Sequence, residues 1–367
     1  MKCQAVVDAR NIPQPAYFWK RGSASAKTQM LRCEYPMPGC FITLYADSKI
    51  HLFETFSSGV VDTRGVRQLI WLISALIIVA RGPLWAAQAT GQAVAWRWAV
   101  ADAAKSAPNA EIAVVNLMSG RVVAARRLAE AARTLAAPGS TLKPIALYGL
   151  LEQGGWNPAQ RIACSRQLHV AGRELNCSHP EMPALDAHEA LTWSCNTYFA
   201  AVAGSVPPAK LRGLLERSEL LGTTGLVESE AVARFREPRT ADETKLALLG
   251  MEGIEVTPLE LVRAYRWLGL EFAAHPKTKA TEVVSAGIRD SASFGVAGAA
   301  GLGGVAVEGK TGTANATAGG RTHGWFVGLA PAQNPKVALV VYLPVGRGAD
   351  AAGIAGEVLK RSPLRTK

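Results

Sequence analysis

An α+β domain is the fold this sequence predicts: a five-stranded, mainly antiparallel sheet flanked by helices, with an all-helical lobe. Three observations predict it. Two short apolar β-type runs lie early in the chain and three lie late. The stretch between them, from about Ala187 to Leu270, has mainly helical character. Strands from both ends with helices between them are satisfied by one mixed sheet whose outer segments meet in space.

The elements follow in order. Glu111–Leu117 (EIAVVNL) and Arg121–Ala125 read as strands joined by a turn at Ser119-Gly120. Thr141–Gln153 reads as a helix that is apolar nearly all round, hence one buried on most sides. Pro207-Pro208, Gly222-Thr-Thr-Gly225 and Pro258 punctuate the helical middle. Val305–Thr313, Gly324–Ala330 and Lys336–Leu343 read as the closing strands, with a turn at Asn334-Pro335, and Ala349–Lys360 as the last helix. The lobe is expected from about Leu150 to Leu270, with the site between lobe and sheet.

Composition bounds the function. The chain has 367 residues, 49% of them apolar, which is enough for a sizeable core. Its formal charge of +11 suits an anionic partner such as a membrane surface or cell-wall polymer. No dense Lys/Arg run and no nucleic-acid motif accompanies that charge, so nucleic acid is not expected as a partner. Leu69–Ala80 (LIWLISALIIVA) is twelve uncharged residues, preceded by Arg64 and Arg67. A spanning helix needs about 20 apolar residues, so this run fits the core of an export signal, with Ala87-Gln88-Ala89 as the small-residue cleavage site. Residues 66–89 are accordingly read as a signal peptide or short membrane anchor, with membrane association through residues 69–87. The protein is expected to be exported, periplasmic or anchored facing outward. Residues 1–65 show no sustained period and form an unassigned extension. Translation is expected to begin near Val60, Val61 or Val66. Residues 105–363 form the catalytic domain.

Three short motifs carry the chemistry. Ser140-Thr-Leu-Lys143 opens the buried helix, and its spacing puts Ser140 and Lys143 on one face, a turn apart. A lysine in a poorly solvated site has a lowered pKa and can act as a base. A serine hydroxyl is a poor nucleophile until such a base removes its proton. Ser194-Cys-Asn196 falls between helical stretches. Lys310-Thr-Gly-Thr313 lies on a late strand, where Gly312 lets a ligand approach the backbone.

Taken together and in this order, the three motifs resemble those of penicillin-binding proteins and class A β-lactamases. Pro138-Gly-Ser-Thr-Leu-Lys-Pro144 looks like the transpeptidase signature, and so does Ser194-Cys-Asn-Thr-Tyr-Phe199. Leu221-Gly-Thr-Thr-Gly225, Thr257-Pro-Leu259 and His323-Gly-Trp-Phe-Val-Gly-Leu-Ala-Pro331 resemble further blocks of that domain. The resemblance runs from about Glu111 to Lys360. It implies that a D-alanyl-D-alanine stem peptide of peptidoglycan acylates Ser140, with Lys143 as general base and Ser194 relaying a proton. Asn196 would bind the peptide amide and Lys310 and Thr311 the carboxylate, beside Gly312. The Thr313 amide would complete the oxyanion hole with that of Ser140. Penicillins would trap Ser140, and cell-wall synthesis proteins would be partners. No cofactor is required for that catalysis.

Alternatives at this point are a D,D-carboxypeptidase, a β-lactamase and a non-catalytic β-lactam sensor. Glu237-Pro238 is similar to the deacylating Glu-Pro of class A enzymes, but Ala241 stands where their Asn is expected. The family's large enzymes carry an N-terminal pedestal or glycosyltransferase domain, for which the residues between Ala89 and the first strand leave no room. Where relatives show Gly-Gln-Gly, this chain has Gly250-Met-Glu-Gly253. Finally, Cys164, Cys177, His179 and Cys195 are the ligand set of a closed structural zinc site. A Cys164–Cys177 disulfide and three ordinary buried cysteines remain the rival readings. On any of them Cys195 should point away from Ser194 and Asn196.

Overall fold

The computed structural model describes residues 91–315 and 321–365 in full and, before residue 91, only the backbone of five short strands. The chain divides into two units, 1–83 and 84–367. In the first, strands Val6–Asp8, Lys20–Arg21, Thr28–Arg32, Cys40–Tyr45 and Lys49–Glu54 pair antiparallel, in the order first, fifth, fourth, third, second. The sequence had shown no sustained period there, because strands this short offer too few alternations to register. The apolar run Leu69–Ala80, the Ala87-Gln88-Ala89 cleavage site and the proposed start near Val60 to Val66 lie outside the described residues. No helix among the described residues is long and apolar enough to cross a membrane.

The second unit carries the predicted sheet. Its strands are β1 (Glu111–Asn116), β2 (Val122–Arg126), β3 (Glu308–Asn315), β4 (Thr322–Ala330) and β5 (Val337–Leu343). They are ordered β3-β4-β5-β1-β2, all antiparallel, so the late strands join the early ones through β5 and β1. β4 and β5 are buried along almost their whole length, which is why they read as continuous apolar runs rather than alternating ones.

Two cores lie on the two faces of the sheet. On one, Ala113, Val115, Trp325, Val327 and Val340 meet the helical lobe. On the other, Ile112, Val114, Phe326, Leu339 and Val341 meet the first and last helices. The helices of more than one turn are α1 (residues 91–103), α2 (Lys143–Glu152), α3 (Ala187–Thr192), α4 (Asn196–Ala203), α5 (Pro208–Arg217), α6 (Ala241–Leu248), α7 (Pro258–Ala274), α8 (Lys279–Ser293) and α9 (Gly348–Lys360). Local chemistry sets several starts: Asp186 with Glu189 and Thr257 with Glu260 form capping boxes, and Pro258 occupies the first turn of α7.

The structure departs from the expected lobe in two respects. The lobe is not purely helical, because it carries the ladders His169–Val170 with Arg173–Glu174 and Arg234–Phe235 with Ile254–Glu255. Helicity also runs past Leu270 into α8, whose caps at Thr278 and Phe294 lie beyond the expected boundary. Strands of two residues leave no period in a sequence.

Candidate active site

Ser140 stands on a single 3₁₀ turn, Gly139–Leu142, that runs directly into α2. The expected helix start at Thr141 is thus a tighter turn. Every residue of α2 from Lys143 to Leu150 is buried, as the all-round apolar pattern predicts. The turn is fixed by backbone. The Gly139 amide donates to the Gly250 carbonyl at 2.8 Å, and the Ala137 carbonyl accepts from both His323 Nε2 and Trp325 Nε1, at 2.8 and 2.9 Å. The Tyr265 hydroxyl donates to the Thr141 carbonyl at 2.9 Å. Gly250 has a φ of +68°, and a Cβ there would lie 2.3 Å from the Gly139 oxygen. In the four-residue Gly250-Met-Glu-Gly253, Gly253 also keeps a positive φ, of +79°. Both glycines of the stretch thus stand at left-handed corners.

Lys143 is fully buried, and its ammonium meets the second motif. Nζ donates to the Asn196 Oδ1 at 2.6 Å, to the Ser194 carbonyl at 3.0 Å and to Ser194 Oγ at 3.4 Å. It also sits 5.2 Å from the centre of the Phe199 ring. Burial pulls its pKa down to about 8, against the opposing charge of Cys195 and Cys177. Ser194 has a φ of +57°, a strained value for a residue with a side chain. That strain turns its carbonyl and hydroxyl onto Lys143 together. Asn196 is held at both ends, since Nδ2 donates to the Leu175 carbonyl at 2.9 Å while Oδ1 holds the lysine, which leaves one N–H of Nδ2 without a close partner.

The third motif lies along β3, beside the turn. The Thr313 backbone passes so close to Gly139 that a Cβ on that glycine would sit 3.1 Å from the Thr313 nitrogen. A Cβ on Gly312 would lie 2.4 Å from the Pro138 carbonyl oxygen, so Gly312 is required by the turn as much as by any ligand. Lys310 is fully buried, and its Nζ donates to the Thr311 carbonyl at 3.2 Å. Burial, and then the charge of Lys143, push its pKa well down. The Thr313 hydroxyl accepts the Gly348 amide at 2.9 Å, at the start of α9. Lys143 and Lys310 are thus both fully desolvated and near enough for the charge of the first to disfavour that of the second. A cavity of about 1090 Å³ lies alongside: Ala137 and Asn315, near the first and third motifs in the chain, line it with Leu175, whose carbonyl holds Asn196, while the motif side chains themselves do not.

Sequence reasoning missed the groups that hold the turn, namely the Ala137 carbonyl with its two donors and Tyr265. Only His323 and Trp325 lay in a quoted block, and nothing in spacing alone joins them to Ala137. Glu237, the hydrolase candidate, is paired with Arg212 at 2.6 Å and is half exposed.

Behind the Ser194–Asn196 turn lies the predicted cysteine cluster. Cys195 faces away from its neighbours, as expected. The ligand atoms of Cys164, Cys177, His179 and Cys195 all lie within 4.8 Å of one another, and all four residues are buried. The Sγ separations are 3.3 Å for Cys164–Cys195, 3.6 Å for Cys164–Cys177 and 3.8 Å for Cys177–Cys195. His179 Nε2 lies 3.5 Å from Cys164 Sγ. The three cysteines are free, so the Cys164–Cys177 disulfide is absent here. Four ligands about 2.3 Å from a tetrahedral zinc would stand about 3.8 Å apart, so the spacing fits that ion. The surroundings fit as well. His179 Nδ1 is engaged by the Pro180 carbonyl at 2.7 Å, which leaves Nε2 as the ligand. The Asn196 amide donates to Cys177 Sγ at 3.2 Å. A hydrogen bond from Cys195, with backbone donors, pulls the Cys177 thiol down, whereas the same hydrogen bond to Cys177, and then burial, push Cys195 up.

A family model described as the penicillin binding protein transpeptidase domain matches residues 89–362. Among solved structures, the chain is similar to the apo TP domain of Burkholderia pseudomallei penicillin-binding protein 3, with 18% identity and a TM-score of 0.65 over 74% of this chain and 93% of that one. It is similar to Pseudomonas aeruginosa PBP2 at 20% identity and a TM-score of 0.60, covering 72% of this chain and 75% of that one. A peptidoglycan glycosyltransferase from Burkholderia ambifaria aligns at 18% identity and a TM-score of 0.62, over 74% of this chain and 93% of that one. No curated protein matches the chain.

Proposed function

The chain belongs to the penicillin-binding protein transpeptidase family, and from that premise we propose that it is a D,D-transpeptidase that cross-links peptidoglycan stem peptides through an acyl-enzyme on Ser140. The observation that carries the reading is Lys143: fully buried, one helical turn from Ser140, its Nζ facing Ser194 and Asn196 and its pKa drawn down to about 8.

In this mechanism neutral Lys143 takes the Ser140 proton as Oγ attacks the carbonyl carbon of the penultimate D-alanine. The amides of Ser140 and Thr313 hold the resulting oxyanion. The C–N bond then breaks, and Ser194 passes the proton from Lys143 to the departing D-alanine amine. The amine of a second stem attacks the ester, the new amide forms, and Ser140 recovers its proton. Lys310 and Thr311 engage the substrate carboxylate, whose charge restores that of Lys310. Asn196 orients Lys143 and contacts the substrate amide. A penicillin opens on Ser140 by the same attack and forms a lasting ester, since the class A deacylating carboxylate has no free counterpart in Glu237. Glu237 is occupied by Arg212.

The cysteine–histidine cluster is read as a closed zinc site that braces the loop beneath Asn196. Cys164, Cys177, His179 and Cys195 would hold the ion, which supplies a cross-link and takes no part in the chemistry. The domain is read as exported, working outside the cytoplasmic membrane, with the acyl acceptor drawn from neighbouring stems.

A fluorescent penicillin tests the acylation. Wild type should be labelled covalently for many minutes and Ser140→Ala not at all; a folded wild type that stays unlabelled overturns the enzyme reading. Incubation with a stem pentapeptide and an amine acceptor then separates the reactions. An amide product supports the transpeptidase, and free tetrapeptide alone would make it a carboxypeptidase.

A further inference from the structure

Helix α1 has a second apolar face that is exposed among the described residues. Trp96, Ala99, Val100 and Ala103 are buried against the sheet, which fixes the rotation of the helix. The opposite face presents Val94 at 62% and Trp98 at 59% exposure, four residues apart and therefore neighbours on the helix surface. Ala101 continues the exposed stripe.

Cations surround the pair. Arg97 is exposed beside Trp98, and the Lys105 side chain is 78% exposed at the helix end. Arg361 Nε meets Asp102 at 2.5 Å, which brings the C-terminal end of α9, with Lys360, alongside α1. The nearby carboxylates of Asp102 and Glu357 are already matched by Lys105, Arg361 and Lys360, so the outward field is positive. A tryptophan and an aliphatic residue ringed by Arg and Lys are the composition of a helix that lies in a bilayer interface. Along the chain, only thirteen residues separate Ala80, the end of the apolar run, from Val94.

We propose that α1 docks the catalytic unit onto an anionic bilayer surface, with Val94 and Trp98 among the headgroups and Arg97 on a lipid phosphate. The catalytic unit thereby sits against the membrane through its own first helix. The inference rests on the exported, outward-facing reading above, and its test separates the two.

The full chain is reconstituted into nanodiscs of phosphatidylethanolamine and phosphatidylglycerol whose acyl chains are brominated near the headgroup. Bromine quenches tryptophan emission at short range, so the difference between wild type and Trp98→Phe isolates Trp98 from the other tryptophans. The wild type should lose a component of emission that Trp98→Phe does not, and that component should shrink in neutral phosphatidylcholine discs. Amide exchange across residues 91–103 should be about tenfold slower on anionic discs than for Val94→Ser/Trp98→Ser, while that variant keeps wild-type penicillin labelling and so its fold. Equal quenching of wild type and Trp98→Phe in discs that hold labelled protein overturns the docking and leaves the export reading standing; it would point to a protein partner for the stripe. Quenching indifferent to lipid charge overturns the anionic surface. A chain that does not enter discs at all overturns the anchored reading.

Discussion

Ser140 precedes Lys143 by one helical turn and the Ser194–Asn196 turn grips the lysine's ammonium, but different physics supports each. Ser140 rides on a turn pinned by main chain: Gly250 accepts its neighbour's amide, Ala137 is held by two donors from β4, and Pro138 and Gly139 abut β3 at distances that admit no Cβ. Close-packed backbone of this kind is rigid without help. Ser194 and Asn196 stand instead on a strained corner whose support is the loop from Cys164 to His179. Many residues of that loop are exposed, and its strands are two residues long. Besides the Asn196 side chain on the Leu175 carbonyl, sulfur ties the loop to the corner: the Asn196 backbone amide on Cys177 and the three thiols on one another. On the proposed zinc reading, one half of this site is pre-organised by packing and the other half by ligands, so the two halves should fail in different ways.

Gly250→Ala strikes the packed half and should have the largest effect. Its Cβ would lie 2.3 Å from the Gly139 oxygen at a φ of +68°, so the turn beneath Ser140 must move. We expect penicillin labelling to vanish and thermal unfolding to report a loss of about 3 kcal/mol or more. Wild-type labelling by this variant would show that the turn is not pinned as described.

Cys195→Ala strikes the ligand-held half. Elemental analysis of protein purified without chelator should find one zinc per chain in the wild type and none in the variant. Labelling should fall about 10- to 100-fold, the usual cost of losing an orienting contact around such a site. Metal-free wild type that labels at full rate would remove zinc from the account and return the cluster to ordinary buried cysteines.

The smallest effect concerns the residue shared by both halves. Burial disfavours the Lys143 ammonium, so the neutral base is reached near pH 8 rather than at the ordinary lysine value of 10.5. The acylation rate should therefore rise with pH, roughly tenfold from about pH 7 to about pH 9, and then level off. A rate that is flat across that range would mean that another group takes the Ser140 proton.

Much of the site was legible in the sequence because its motifs are local. Ser140 and Lys143 lie one turn apart on a helix whose apolar surroundings were visible as a pattern, and from that pattern came both the burial and the lowered pKa of the lysine. Cys195, between Ser194 and Asn196, had to point the other way by the geometry of consecutive residues. The supports were not legible, because they join distant segments. Tyr265 meets Thr141 across 124 positions and Trp325 meets Ala137 across 188, and a carbonyl acceptor carries no residue identity to read. The short ladders of the lobe and the second apolar face of α1 escaped for a related reason: periodicity reports which residues are apolar, not which of two apolar faces the core will cover.

The sequence by itself therefore determined the five strands of the main sheet, the three motifs and the cysteines and histidine that gather in one cluster, since each depends on spacing within a few turns of chain. Only the tertiary structure decided that Gly250 and Gly312 are there to let backbones touch, that Asn196 is committed to Lys143 and Leu175 at once, and that the thiols meet at 3.3 to 3.8 Å. Those facts arise where segments far apart in the chain are brought into contact, and the free energy that brings them together comes from burying the two cores as wholes rather than from any local run of residues.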